Sequence, residues 1–263
     1  MVVQSETLKQ AWPGLVHGFS GEFPKNWSYS EALIRLLNHQ DVTSEDTVLL
    51  AQPHGPEIWF RESPQISTDK APAPRVAAGA MDNFVPGFDG VTSDWKAGSK
   101  TMLAIRSADC VPVLAIDPER KVFGALHAGW RGTAAGILPN LLAGWKARGS
   151  RLNQVRLVLG PAIGPCCFEV GPECVAAFNP EHLAGAVSEH ADRPRIDLPA
   201  VLIRQAEIAG LSQEQVEPLG YCTRCYKSGD GHHPFASFRR AGQEGGSTQG
   251  RNLSFIGVIQ PLP

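Results

Sequence analysis

The sequence predicts an α+β protein, read as one domain over residues 1–263. Short apolar runs of strand length, bounded by turn residues, recur at 47–52, 101–117, 122–130, 155–165 and 252–260. Runs with apolar residues at helical spacing alternate with them at 28–40, 132–149 and 197–211. No internal repeat and no shift of composition marks a linker between them.

Bulk properties exclude several classes. A content of 43% hydrophobic and 19% charged residues is ordinary for a folded chain and argues against long disorder. A formal charge of -2 gives no footprint for nucleic acid or anionic lipid. No apolar run approaches the roughly 20 residues of a membrane helix. The start "MVVQSETLKQAWPG" lacks the charged-then-apolar order of a secretory signal, so the expected location is cytoplasmic. There the six cysteines are expected to be reduced, with ligand or packing roles ranking above a disulfide framework.

The elements follow in order. "SYSEALIRLLNHQ" places Leu33, Leu36 and Leu37 at helical spacing behind a serine-rich start that can cap it. "TVLLAQ" reads as a buried strand stopped by "PHGPE", which puts His54 at a strand end. Residues 61–75, "RESPQISTDKAPAPR", read as a surface loop. "TMLAIRSADCVPVLAID" and "VFGALHAGW" are expected to pair as strands around the turn "DPERK", which places Cys110 and His127 on neighbouring strands. "GTAAGILPNLLAGWKARG" reads as helix, "VRLVLGPAIGP" as strand then turn, and "GPECVAAFNP" as a short helix. "DLPAVLIRQAEIAGL" is a helix with a proline in its first turn and Gly210 as its stop. "NLSFIGVIQ" is the final strand.

Several residues could carry chemistry. "CTRC", Cys222 to Cys225, with His232 and His233 nearby, has spacing compatible with a structural zinc but lacks a second cysteine pair at such spacing; a redox role is disfavoured because the motif does not open a helix after a strand. The vicinal Cys166 and Cys167 read as small space-filling side chains in a turn. Cys110, His54 and His127 lie at expected strand ends, and imidazole with thiolate suits zinc or copper; separate structural roles remain the alternative. Arg131, in "HAGWRG", carries a planar fork suited to phosphate or carboxylate, against a plain surface salt bridge. Arg239, Arg240 and Arg251 add positive charge near a glycine-rich stretch, and Glu169 is an acid set between Phe168 and Val170.

"SADCVPVLAID", "GALHAGWRGT", "GPAIGPCCFEVG" and "CTRC…FASFRRAG…QGRNLSFIGVI", in that order, resemble the laccase-domain family, also called the peptidoglycan editing factor or YfiH-like family. The similarity runs from "VHGFS" to the C-terminus. It implies two mixed β-sheets packed together and flanked by helices, distantly like bacterial toxin deamidases. It also implies one metal, zinc with copper as the alternative, held by His54, Cys110 and His127. Activities ascribed to the family differ: purine nucleoside phosphorolysis of adenosine, inosine and methylthioadenosine with accompanying adenosine deamination, polyphenol oxidation of laccase type, and editing of peptidoglycan precursors.

Chemistry ranks these implied activities. A laccase that reduces dioxygen in one step needs several coppers and about ten histidine ligands, whereas the chain has eight histidines. A single soft-ligand metal with an open position suits deamination or hydrolysis. Phosphorolysis adds an anion seat, for which Arg131 and Arg239 are the candidates, and Glu169 is the candidate to position a ribose hydroxyl or the base. The expected function is therefore a purine nucleoside phosphorylase with adenosine deaminase activity, in which Cys110, His127 and Arg131 are catalytic and Arg131, Glu169 and Arg239 bind substrate. The alternatives are a cysteine- or metal-dependent amidohydrolase that edits peptidoglycan precursors with Cys110 as nucleophile and His127 as base, a laccase-like copper polyphenol oxidase, and a binding module that keeps zinc as a staple. The expected partners are small molecules, a purine nucleoside and phosphate, with no nucleic acid and no membrane; the chain is expected to be a monomer or homodimer. The front of the chain departs from the family pattern: "HGFSGEFPKNW" replaces "HGFSTRxGG", Ala32-Leu33 replaces an Asn-Arg pair with Arg35 nearby, and Pro53 replaces a valine.

Overall fold

Alternation of side chains along the central strands dictates a layered arrangement. The computed structural model describes residues 1–23, 27–37, 46–61, 84–95, 100–188, 193–246 and 250–258. Its strands are β1 (Val2–Val3), β2 (Val16–Glu22), β3 (Thr47–Leu50), β4 (Ile58–Arg61), β5 (Phe84–Val85), β6 (Gly90–Asp94), β7 (Thr101–Ser107), β8 (Val111–Asp117), β9 (Val122–Ala128), β10 (Arg156–Leu159), β11 (Val187–Ser188), β12 (Arg195–Ile196), β13 (Val216–Pro218) and β14 (Asn252–Val258). The helices are α1 (Glu6–Ala11), α2 (Tyr29–Leu36), α3 (Trp130–Ala134), α4 (Ile137–Ala147), α5 (Pro172–Ala176), α6 (Pro180–Leu183), α7 (Leu198–Ala209) and α8 (Phe238–Glu244).

Two six-stranded mixed sheets dominate, in the orders β1-β2-β14-β7-β3-β5 and β13-β10-β8-β9-β6-β4. Antiparallel pairs fill the centre of each, and parallel pairs lie toward the edges at β3/β7, β3/β5, β10/β13 and β4/β6. Leu103 and Ile105 of β7 pack with Leu114 and Ile116 of β8 and Phe123 of β9, so these residues form the layer between the sheets. The intervening residues point the other way. Met102 and Ala104 meet Ala32 and Leu33 of α2, whereas Val111, Val113 and Ala115 meet Leu138, Leu141 and Leu142 of α4 and Val201 and Leu202 of α7. Both faces of β7 and β8 are thus covered, which is why their sequences are continuous apolar runs rather than alternating ones.

The helices form where local signals agree with this packing. Ser28 and Glu31 make a reciprocal capping box at the start of α2. α7 opens on Asp197, whose side chain accepts from the Ala200 N–H, and ends at Gly210 in the left-handed conformation, φ 107°.

Three sequence expectations are corrected. Residues 101–117 are not one strand: β7 lies in the first sheet and β8 in the second, because Asp109, at φ 88°, turns the chain between them. The helical stretch 132–149 is divided at Gly136, φ 85°, into the end of α3 and all of α4. α8 occupies a segment that carried no helix signal, since Ser237 caps it and Gly245 closes it at φ 67°. Of the loop read at 61–75, Arg61 ends β4 and the rest lies outside the described residues. Among the described residues no helix is long and apolar enough to cross a membrane.

Leu114 lies fully buried between the sheets. Leu114→Ala is expected to lower unfolding free energy by about 2–5 kcal/mol in urea titration. Ile208→Ala, at a 44% exposed position of α7, is expected to change it by less than about 0.5 kcal/mol.

Candidate metal and catalytic centre

The sheet switch creates the site. Cys110 stands at the turn between β7 and β8, and His127 is the penultimate residue of β9, paired with Pro112 in the β8–β9 ladder. His54 follows β3 of the other sheet. One ligand atom from each of His54, Cys110 and His127 lies within 4.8 Å of the others, and the two imidazole rings meet edge to face at 4.8 Å. The three residues line a cleft of about 500 Å³.

Backbone strain is concentrated here. Gln52, His54 and Asp109 all line the cleft and all have positive φ, at 61°, 68° and 88°. Each is held by side-chain bonds. The Gln52 amide donates to the Arg106 carbonyl at 2.7 Å and accepts from the Arg106 N–H at 2.9 Å. The Asp109 carboxylate accepts from Thr223 Oγ1 and from the Arg239 N–H, both at 2.7 Å.

Asp89, at the head of β6, ties the histidines together. Fully buried, it accepts from His127 Nδ1 at 2.9 Å, from the His54 N–H at 3.0 Å and from the Gly55 N–H at 2.7 Å. This leaves Nε2 of His127 as the ring nitrogen for a ligand role. Sequence reasoning missed Asp89, whose partners lie 35 and 38 residues away; an acid between Phe88 and Gly90 was the only local signal. Glycines in "HAGWRG" permit the approach. A Cβ on Gly129 would sit 3.1 Å from Cys110 Sγ and 3.2 Å from His54 Cδ2, and one on Gly132 would sit 2.7 Å from the Gly55 carbonyl oxygen.

Electrostatics favour a charged pair. Burial opposes ionisation of Cys110, but the attraction of His127 and hydrogen bonds with His127 and His54 outweigh it, bringing the thiol from an ordinary value near 9 to about 6. Burial likewise opposes charge on His127, yet Cys110 and the bond to Asp89 raise it to about 9. Two nitrogens and an anionic sulfur converging beside a cleft are a donor set for one zinc or copper ion with an open position.

The rim carries the arginines. Arg131, exposed in the first turn of α3, lies 4.2 Å over the Trp130 ring and lines the cleft. Arg239 also lines it, its guanidinium donating to the carbonyls of Cys167 and Glu169. Arg251 lines the cleft as well. Arg240 does not: its guanidinium donates to the carbonyls of Thr223, Arg224 and Phe235. The structure does not bring the Glu169 carboxylate into the cleft, because Arg195 draws it away at 2.8 Å; Glu169 contributes its carbonyl to Arg239 instead. Arg106, unremarked in the sequence, lines the cleft and lies 4.2 Å over Phe84. At the divergent front, Ala32 and Leu33 are buried in the α2 layer, and Arg35 lies 4.5 Å over Trp27.

Four of the other five cysteines come together, while Cys174 packs in the core. Cys166 and Cys167 do more than fill space, since they gather with Cys222 and Cys225 into a second cluster whose sulfurs all lie within 4.8 Å. His232 and His233 are not in that cluster; His233 Nδ1 pairs with the Tyr226 carbonyl at 2.9 Å.

The profile of the multi-copper polyphenol oxidoreductase laccase family matches residues 28–259. The chain belongs to this family. A laccase-family relative, the purine nucleoside phosphorylase YlmD of Geobacillus stearothermophilus, is 34% identical over 186 residues, which cover 68% of this chain and 64% of that protein. The adenosine deaminase RL5, from an unknown prokaryotic organism, is 31% identical over 151 residues, covering 56% of each chain. The chain thus spans less than two thirds of the length of these curated relatives. The crystal structure of YlmD from Geobacillus stearothermophilus superposes with a TM-score of 0.75 at 27% identity, covering 95% of this chain and 94% of that one. The multi-copper part of the laccase-family description does not fit the donor set: among the described residues one cluster holds two histidines and a cysteine, and the other holds cysteines alone.

Two outcomes are expected. Asp89→Asn, which keeps the shape but removes the charge, should weaken metal binding at the His54/Cys110/His127 cluster by about 10–100-fold in chelator competition. In metal-free protein the Cys110 thiolate fraction rises with pH through about 6. Peptide-resolved alkylation of Cys110 should therefore be near its plateau at neutral pH, whereas an ordinary thiol would still be accelerating toward pH 9.

Proposed function

We propose that this laccase-family chain is a purine nucleoside phosphorylase with accompanying adenosine deaminase activity, both at the one His54/Cys110/His127 site. The observation that carries the reading is the placement of this cluster on a cleft whose rim presents Arg131 and Arg239. The activities for which YlmD and RL5 are named support the same pair of reactions.

The chain's residues divide the work. Phosphorolysis breaks the bond between ribose C1′ and the purine nitrogen and joins C1′ to a phosphate oxygen. Arg131 and Arg239 seat the phosphate anion by paired N–H donation. Trp130, Phe168 and Phe238 offer aromatic surface along the cleft for the base, and Phe238 is 56% exposed, open to stacking. Asp89 keeps the His127 Nδ1 proton in place and so fixes ring orientation. His54, Cys110 and His127 would hold zinc, which when bound supplies Lewis acidity and an activated water. The Cys110 ligand requires a reduced thiol, as the cytoplasm provides.

A second reading rests on one specific observation. The Cys110 sulfur lies within 4.8 Å of a His127 ring nitrogen, and His127 and His54 draw its thiol down to about 6, an arrangement that suits a nucleophilic cysteine beside a base. A hydrolase that edits peptidoglycan precursors would use that pair.

Product analysis with adenosine separates these. Free adenine and ribose phosphate are expected only with phosphate present and should vanish in His127→Ala; inosine marks deamination. Arg131→Ala should raise the KM for phosphate roughly 10-fold or more, as for loss of a charged hydrogen bond. An unchanged phosphate dependence would remove Arg131 from the anion seat. Absence of every nucleoside product, with Cys110 remaining the reactive thiol, would turn the assignment to the hydrolase.

A further inference from the structure

We propose a second metal site, structural and separate from the cleft cluster, in which Cys166, Cys167, Cys222 and Cys225 bind one zinc ion as four thiolates. Four sulfurs within 4.8 Å of one another, with Cys166 and Cys225 at 3.6 Å, are close to the roughly 3.8 Å edge of a tetrahedron with Zn–S near 2.3 Å. A full set of four protein ligands closes the coordination shell, which is the mark of a structural rather than a catalytic ion.

Hydrogen-bond donors reach two of the four sulfurs. The Gly164 N–H donates to Cys222 Sγ at 3.3 Å, and the Arg224 guanidinium reaches Cys167 Sγ at 3.5 Å. Arg224 is itself held by Gln243 Oε1 of α8, at 2.7 and 3.0 Å. The "CTRC" turn is prearranged: the Tyr226 N–H bonds to the Cys222 carbonyl, and Arg240 gathers the carbonyls of Thr223 and Arg224. The opposing turn is also closed, by the N–H groups of Cys167 and Phe168 on the Gly164 carbonyl.

Such an ion would join two segments that wall the cleft. Residues 162 and 222 already meet in a parallel bridge. From one side Cys167 and Glu169 present the carbonyls that hold Arg239, and from the other Thr223 bonds to Asp109 beside Cys110. The zinc would therefore fix the anion-seating wall without touching substrate, and its presence does not depend on the reaction proposed above.

The test is metal content of the full chain purified reduced with zinc, combined with thiol counting. Wild type is expected to hold about two zinc ions per chain, Cys110→Ala about one, and Cys222→Ser/Cys225→Ser about one. In the Cys110→Ala protein, replacement by cobalt should give the intense visible bands and sulfur-to-cobalt charge transfer of tetrahedral thiolate coordination. This single variant reads the second site even where the double variant fails to fold, and it reads that site whatever becomes of the cleft assignment. A Cys110→Ala protein that is folded but metal-free overturns the proposal. So does recovery of a Cys166–Cys225 disulfide in the reduced, zinc-supplied protein.

Discussion

A buried carboxylate is the constraint on which the centre depends. Asp89 has no solvent exposure, and it receives backbone N–H groups from His54 and Gly55 and a ring N–H from His127. An unpaired charge at that depth is strongly destabilising, so the segment after β3 must fold against the head of β6 with its N–H groups turned inward. That requirement helps hold the positive φ of His54, a conformation costing about 1–3 kcal/mol outside such a frame. The same carboxylate fixes the imidazole of His127, so one interaction sets the geometry of both histidines.

The second constraint is topological. β7 and β8 are consecutive but belong to opposite sheets, and Asp109 bends the chain between them. A strand leaving one sheet for another exposes backbone groups at the break. Here the Ile163 N–H takes the Asp109 carbonyl, while Thr223 and Arg239 take its carboxylate. Cys110 is consequently presented at the seam of the two sheets, where a cleft can reach it without opening either hydrophobic layer.

These constraints explain what was legible in the sequence. β8 and β9 announce themselves as apolar runs around a turn, and their pairing brings Cys110 near His127 without further information. α7 is bounded by its own caps. The division of residues 101–117 between sheets was hidden because both halves are buried on two faces and read as one apolar run. Asp89 was hidden for a different reason: a carboxylate whose partners come from β9 and from the segment after β3 has no periodicity to betray it. The four-cysteine cluster was obscured likewise, since "PCC" and "CTRC" lie far apart in the sequence and meet only in the fold, beside the bridge at residues 162 and 222. Glu169 shows the converse case, an acid in an apolar stretch whose carboxylate pairs with Arg195.

Asp109 also links the two cysteine-bearing regions. One of its carboxylate oxygens takes the Thr223 hydroxyl inside "CTRC", and the other takes the Arg239 N–H at the start of α8. The Arg239 guanidinium then returns to the carbonyls at 167 and 169, on the turn that carries the other two cysteines of the cluster. Turn, "CTRC" and α8 thus form a closed circuit around the residue preceding Cys110. A rigid circuit of this kind orders the Arg239 guanidinium through backbone carbonyls, so that an anion bound there would cost less side-chain entropy. Loosening any member would disturb Asp109, and through it the backbone that presents Cys110, before any ligand of the cleft was removed.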